Sequence, residues 1–391
     1  MILKTLKTQN FRNLLENPPE FHDGINVLFG DNAAGKTNTL EAIYLFATGK
    51  SFRTRSEKDF IRHGESFARA EIGYENSVLC RSMSVTYMAN GKSVLKGMQI
   101  EGAGVDKVSE FLGNFRAVLF TPDHLELVKG APEERRRLID MALCQIQPRF
   151  LKSLNDYMKV LAQRNNYLKN IKFSGREADL DYLGVLNMQL SKAGAVITKQ
   201  RGLYSEKLSA LSGEAYEKLT GGNESLYAKY ISRAGTSLSD ENEIAENLYA
   251  MYERDTKHDI ELGKTSHGPH HDELMIYVAK KGEGEAFVKE ASLIPEENLS
   301  EYAARSFGSQ GQQRSAVLAI KIAEGEIIKE KCGEYPVFLL DDLFSELDDK
   351  RRQKLSEMFL DKQCIITCCD RAALPKSSDM FVINVSEGKY F

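Results

Sequence analysis

No apolar run in this 391-residue sequence approaches the length needed to span a bilayer. Its start, Met1-Ile2-Leu3-Lys4-Thr5, lacks the basic-then-apolar pattern of a signal peptide. The expectation is therefore a cytoplasmic protein with no membrane partner. The six cysteines (Cys80, Cys144, Cys332, Cys364, Cys368 and Cys369) contain no C-x-x-C pair and no zinc-ligand spacing, which points to reduced thiols. No internal repeat and no low-complexity tract appears. A strong net charge is also missing: 52 Lys and Arg against 56 Asp and Glu leave −4, so the whole molecule is no electrostatic magnet for a polyanion. Hydrophobic residues at 42% and charged residues at 28% are ordinary for a globular chain long enough for two or three domains.

Against this background one run stands out. Gly30-Asp31-Asn32-Ala33-Ala34-Gly35-Lys36-Thr37 fits G-x-x-x-x-G-K-[ST]. The apolar run Ile25–Phe29 precedes it, and a helical pattern from Thr39 to Tyr44 follows. Such a loop turns successive backbone N–H groups inward at a helix start and makes a concave anion site. Lys36 is then the residue that reaches the β- and γ-phosphates of a nucleoside triphosphate, and the Thr37 hydroxyl the one that holds Mg2+.

The first 125 residues read as mixed α/β, with short apolar strands at 3–6, 25–29, 70–74, 82–87 and 117–120. The pattern changes after Thr121-Pro122. From Pro148, Phe150, Leu154, Tyr157, Leu161, Leu168 and Ile171 recur at alternating spacings of four and three, with Arg164 at one seam position. A second such series runs through Leu183, Leu186, Leu190, Ala193, Ile197, Tyr204, Leu208, Leu211 and Ala215. Two heptad-like helices joined by a polar gap at 173–179 make an antiparallel hairpin whose seams are packing. Strand candidates then follow at 226–232, 273–279, 337–340 and 364–367, with a helix at 350–359. Between Lys129 and Lys172 ten basic residues face four acidic ones, a net +6. That segment is either a polyanion footprint or a solvated helix face.

The strand Val337-Phe338-Leu339-Leu340 ends in Asp341-Asp342. Carboxylates at the C-terminal end of a buried strand can meet a phosphate-bound cation. Asp341 is assigned to Mg2+ or its water, and Asp342 to polarising the attacking water. Ser309, Gln310, Gly311 and Gln312 open a long helical run and form a second anion-binding helix start. One γ-phosphate needs one P-loop, so this second start is expected to cap the nucleotide of a partner copy. His267, His270 and His271 beside Asp272 crowd a Gly-Pro turn without the spacing of a metal site. Lys50, Arg53 and Arg55 can meet either a nucleotide or another phosphate, or simply lie in solvent.

The P-loop, Ser309–Gln312, the apolar-Asp-Asp strand and Ser345-Glu346-Leu347-Asp348, in this order, resemble an ABC-type ATPase head, with Ser345–Asp348 in the place of its D-loop. Lys7–Asn13, with its Phe11-Arg12-Asn13, is similar to the opening of the SMC-like branch. Gly49–Thr54, Phe120–Asp123, Leu127–Pro132, Arg135–Asp140, Gly268-Pro269-His270 and Gly308–Arg314 resemble the RecF family specifically, from end to end. Three departures stand out. His271 replaces an Arg common at its place, which leaves any anion contact of that Arg open. Asp342 stands where ABC transporters usually carry Glu, and Cys369 lies nearest the position where ABC heads often carry a switch His. The last two suggest slow hydrolysis.

The fold expected is α/β: a P-loop ABC-type ATPase head with a mixed sheet, discontinuous over 1–125 and 225–391, with an inserted all-helical antiparallel hairpin domain at 126–224. The resemblance implies an ATP-dependent homodimer that clamps duplex DNA at single-strand/double-strand junctions. It further implies weak DNA-stimulated ATPase activity, and recruitment of RecR, with RecO, to load RecA at gaps. The alternative is an SMC-like or transporter-type ATPase acting on a protein or membrane partner. A nuclease ranks last, because no further acidic metal cluster accompanies Asp341 and Asp342.

Overall fold

The continuous apolar runs of this chain become strands buried on both faces. The computed structural model describes residues 1–175, 177–222, 224–235, 240–284, 286, 306–307, 309–374 and 380–391. Gly308 lies outside the described residues, as does the side chain of Lys129. The chain divides into two compact units, one of Met1–Leu125, Ala215–Gly221 and Val317–Phe391, the other of Glu126–Glu214 and Gly222–Ala316.

The first unit holds two sheets. One is antiparallel, in the order β1-β3-β4-β5-β6, from β1 (Ile2–Gln9), β3 (Phe67–Glu75), β4 (Cys80–Asn90), β5 (Ser93–Ile100) and β6 (Ala103–Val105). The other runs β13-β12-β2-β11-β10-β7. Its β2 (Ile25–Phe29), β7 (Ala117–Phe120), β10 (Val337–Leu340), β11 (Cys364–Cys368) and β12 (Met380–Ser386) are parallel, and the short β13 (Lys389–Tyr390) closes one edge antiparallel. Every residue of β7, β10 and β11 is buried, as expected of parallel strands covered on both faces. Helix α1 (Lys36–Thr48) buries ten of its thirteen residues, so it is a core element. The short α2 (Val108–Phe111) also belongs to this unit.

The second unit is mainly helical: α3 (Glu126–Lys129), α4 (Pro132–Ile146), α5 (Pro148–Ser174), most of α6 (Leu180–Thr220), α7 (Glu241–Arg254) and α8 (Thr256–Leu262). Pro132 and Pro148 start α4 and α5, where a missing N–H is harmless. At 41 residues, α6 is about 60 Å long. Of the α5 seam, Phe150, Tyr157, Leu161 and Leu168 are buried.

The return to the head differs from the expected residue 225. Residues 222–316 group with the helices and Val317 onward with the sheets. The reason is local pairing. β8 (Glu224–Ile231) and β9 (Glu273–Lys280) form a two-stranded sheet of their own, and the backbone of Ala228 donates to Ser209 Oγ on α6. Two of the ten basic residues of 129–172 are also not surface charges. Arg135 is buried against Glu273, and Arg164 against Asp259. Arg137, Arg149, Lys152, Lys159, Lys169 and Lys172 remain exposed.

In the first unit the later part of the helix Gln310–Cys332, from Val317 on, passes β10 at Gly325, where a Cβ would stand 2.2 Å from Phe338 Cζ. Gly325→Ala is expected to destabilise the protein by about 1–3 kcal/mol through this overpacking, read as a lowered denaturant midpoint with unchanged slope.

Candidate functional site

The P-loop joins β2 to α1 and lines a cleft of about 730 Å³ whose walls all come from the first unit. Gly30 has no space for a side chain, because a Cβ would sit 2.0 Å from the Val385 carbonyl oxygen. Gly35, at φ 119°, and Ala33, at φ 65°, take left-handed conformations that curl the loop before the helix. The Lys36 ammonium donates to the carbonyls of Gly30 (2.6 Å) and Asp31 (2.8 Å), which ties it across the loop. Of the P-loop residues, Asn32, Ala33, Gly35, Lys36 and Thr37 face the cleft.

Opposite them the cleft is lined by Asp341 and Asp342. The Thr37 hydroxyl donates to Asp341 Oδ1 at 2.9 Å, so the two residues assigned to a cation are already in contact. Thr367 donates to the same oxygen at 2.7 Å, and its hydroxyl accepts from the Asp342 N–H at 2.9 Å. One hydroxyl thus orients both acidic residues. Burial pushes the Asp341 carboxyl above its usual range, while the Thr367 and Thr37 hydroxyls pull it down. Asp342 is held at φ 47°, a strained value for a residue with a side chain, and Ser345 Oγ donates to its carbonyl at 2.7 Å. Cys369 lies beside it, with Sγ 3.9 Å from Asp342 Oδ1.

A hydroxyl and a carboxylate in contact suit Mg2+, which binds one or two protein oxygens and takes its remaining ligands from water and phosphate. Thr37 and Asp341 are the residues that would hold it. An ATP-sized ligand fits the cleft volume.

The remaining wall was only partly legible in the sequence. Buried Glu41 on α1 accepts both guanidinium donors of Arg12 at 2.9 Å and the Ser51 hydroxyl at 2.5 Å. Glu41 thereby ties the Phe11-Arg12-Asn13 segment and the loop after α1 to the P-loop helix. Arg53 lines the cleft and donates to Asn38 Oδ1, while Lys50 and Arg55 are exposed and outside its lining. Thr367, Arg62 and His63 also line it. Thr367 had one signal, a lone hydroxyl ending an otherwise apolar strand. Arg62 and His63 had none.

Ser309, Gln310, Gly311 and Gln312 are not in this lining; they belong to the second unit. There Ser309 caps the helix Gln310–Cys332, its Oγ accepting from the Gln312 N–H (3.2 Å) while Gln312 Oε1 accepts from the Ser309 N–H (3.0 Å). This is a reciprocal capping box. Asp348, of the Ser345–Asp348 segment, caps the next helix, Asp349–Met358, through the Arg351 N–H.

The Gly-Pro-His-His turn is a packing hub of the second unit. Tyr157 donates to His270 Nδ1 at 2.6 Å, and Nε2 of both His270 and His271 faces the Thr265 carbonyl at 3.3 Å. A carbonyl only accepts, so the His270 Nε2 carries the proton and its Nδ1 accepts. Burial, together with neighbouring His271, pushes His270 down to about 3. Burial pushes Asp272 up to about 6 although Tyr230 donates to it at 2.6 Å.

A P-loop and a buried apolar-Asp-Asp strand, joined through Thr37 and Asp341 on a parallel sheet, define an ABC-type ATPase head. The profile described as RecF/RecN/SMC N terminal domain matches residues 2–390. The DNA replication and repair protein RecF of Ruminiclostridium cellulolyticum is 37% identical over 373 residues, covering 95% of this chain and 93% of its own. That of Pediococcus pentosaceus is 35% identical, covering 99% and 98%. Among solved structures, the recombination mediator protein RecF with ATP, in the RecFOR pathway, superposes with TM-score 0.84 at 30% identity, covering 100% of this chain and 97% of that one. The Smc head bound to the C-winged helix domain of ScpA has TM-score 0.54 at 15% identity, a likeness of fold. The chain belongs to the RecF family.

Two outcomes are expected. Thr367→Val keeps the shape but removes the hydroxyl, and should lower Mg2+-dependent ATP hydrolysis about ten-fold or more while Mg2+-free nucleotide affinity changes little; Lys36→Ala should lose both. His270 is neutral when folded and free to protonate below about pH 6.5 when unfolded. Its stabilising contribution is therefore full above pH 6.5 and is lost as pH falls toward 3. Between pH 7 and pH 5 the stability advantage of wild type over His270→Gln should shrink by about 2 kcal/mol in denaturant titrations. Comparison with the variant removes the opposing contribution of Asp272.

Proposed function

We propose that this protein is an ATP-gated DNA clamp of recombinational repair and replication. The observation that carries the reading is the contact of Thr37 with Asp341 across the cleft, which links the P-loop to the acidic strand end before any ligand is considered. On ATP binding the loop N–H groups hold the α- and β-phosphates. Lys36 exchanges its carbonyl partners for β- and γ-phosphate oxygens, and Thr37 and Asp341 hold Mg2+. Bound there, Mg2+ neutralises charge on the phosphates. Asp342 orients the attacking water and accepts its proton; Cys369 beside it is a poor proton carrier compared with a histidine, so turnover is slow.

In this reading Ser309, Gln310, Gly311 and Gln312 of a second copy cover the γ-phosphate, so ATP joins two copies into a homodimer. The capping box supports it, because the first turn of the helix still carries backbone N–H groups without intrahelical partners. Duplex DNA is gripped through phosphates by exposed lysines and arginines of the helical arm. Arg149, Lys152, Lys159, Lys169 and Lys172 face solvent on α5, where Asp156 is the single acidic residue between them. Relatives named as DNA replication and repair protein RecF, and a solved RecF of the RecFOR pathway, support action with RecR and RecO. In this reading the clamp acts at single-strand gaps and helps to load RecA. Hydrolysis, stimulated weakly by DNA, releases the clamp in the cytoplasm.

The test is fluorescence anisotropy of labelled duplex with ATP, with ADP and without nucleotide, at two salt concentrations. Tight binding with ATP alone, weakening with salt, is expected. Equal binding in all three states would remove the gating, and Lys36→Ala should bind DNA no better with ATP than without.

A further inference from the structure

The side-chain amide of Gln312 makes two bonds of opposite sense. Its Oε1 accepts from the Ser309 N–H at 3.0 Å, and its Nε2 donates to Glu224 Oε2 at 2.9 Å. A backbone N–H can only donate and a carboxylate can only accept, so both partners select the same amide orientation. Turning the amide over would place its oxygen against the carboxylate and break both bonds. Glu224 is half-buried as the first residue of β8, 88 positions away in sequence. Its contact with Gln312 therefore exists only in the folded second unit.

The consequence falls on the helix start. With Gln312 held, its own N–H is taken by Ser309 Oγ and its side-chain oxygen takes the Ser309 N–H. What remains for an outside anion is the pair of backbone N–H groups at Gln310 and Gly311, together with the proton of the Ser309 hydroxyl, whose oxygen is already accepting. Without Glu224 the Gln312 amide keeps one weak anchor and gains rotamer freedom. The capping box then opens part of the time, and the donors no longer share a fixed direction.

We propose that Glu224 is a positioning residue for the ATP-dependent assembly: through Gln312 it holds the Ser309–Gln312 helix start in the form that receives a γ-phosphate bound by another copy. The proposal rests on the dimer reading above. Glu224 touches neither nucleotide nor Mg2+ in this scheme, and its role is distinct from that of the P-loop residues.

The experiment is an ATP titration of the full-length chain, with mass followed by light scattering and nucleotide affinity by the fluorescence of a methylanthraniloyl-ATP. Wild type is compared with E224A, E224Q, Q312E and the double variant E224Q/Q312E. E224A should need about ten-fold more ATP for half-maximal dimerisation, the scale of one charge-assisted hydrogen bond. E224Q, whose amide oxygen still accepts, should stay within about three-fold of wild type. Q312E sets two carboxylates face to face and should dimerise at least as poorly as E224A. The double variant exchanges donor and acceptor across the same contact and should dimerise better than Q312E, while the carboxylate now at position 312 opposes the γ-phosphate and keeps it short of wild type. Nucleotide affinity of the monomeric Glu224 variants should match wild type, which a general folding defect would not allow.

Dimerisation of E224A at wild-type ATP concentrations, or a double variant no better than Q312E, would overturn the positioning role and leave the dimer reading standing. A wild type that stays monomeric at saturating ATP would instead overturn the dimer reading, and this inference with it.

Discussion

The parallel alignment of β2, β11 and β10 is the constraint on which the nucleotide cleft depends. Cys364 pairs with Ile25 on one side and Phe338 on the other, so β2 and β11 end level at Phe29 and Cys368, while β10 ends at Leu340, level with Ile366. The P-loop leaves the first end, Thr367 sits one residue before the second, and Asp341 follows the third. The ladder bonds continue past the strands themselves: the Gly30 N–H donates to the Cys368 carbonyl, and the Asp341 N–H to that of Phe120. A one-residue slip of β11 would turn Thr367 to the opposite face of the sheet. Both acidic residues would lose their common hydroxyl, and Thr37 would meet an unsupported carboxylate.

Some of the conformational strain in the first unit lies at that same edge. Ala33 and Asp342 adopt positive φ on the two sides of the cleft, conformations that cost of order 1 kcal/mol each and persist only where the surroundings over-determine them. Around Asp342 the determinants are visible: Thr367 holds its N–H, and Ser345 holds its carbonyl. The backbone that carries the carboxylate is thus held by this chain's own hydroxyls.

The second unit is organised by buried charge. Arg164 reaches Asp259 at 2.6 Å, Thr265 at 2.8 Å and Asn187 at 2.9 Å, and lies over the ring of Tyr252. Arg201 makes a two-pronged contact with Asp140 and also donates to the Pro269 carbonyl. Arg136 donates to the Asp272 carbonyl. Several arginines are thus spent holding the backbone turn that carries His270 and His271, and the charge they bring is unavailable to an outside polyanion. Such networks contribute specificity of packing more than net stability, since desolvating the ions offsets much of their attraction.

Sequence alone determined the elements whose signal is local. The P-loop, the apolar strand ending in Asp341-Asp342 and the two seams of α5 and α6 are patterns of a few residues, and each carries its chemistry in its spacing. Several features were decided only by tertiary structure, because each depends on residues far apart in the chain. Thr367 became an orienting residue through register with β2 and β10. Arg164, one of ten basic residues by count, became a core cation through Asp259. The unit return moved to Val317 because β8 and β9 pair with each other. Gln312, legible as part of an anion-binding helix start, acquired a fixed amide only through Glu224. Local spacing chooses secondary structure and the kind of chemistry; the direction in which a side chain points is set by partners that only folding brings within reach.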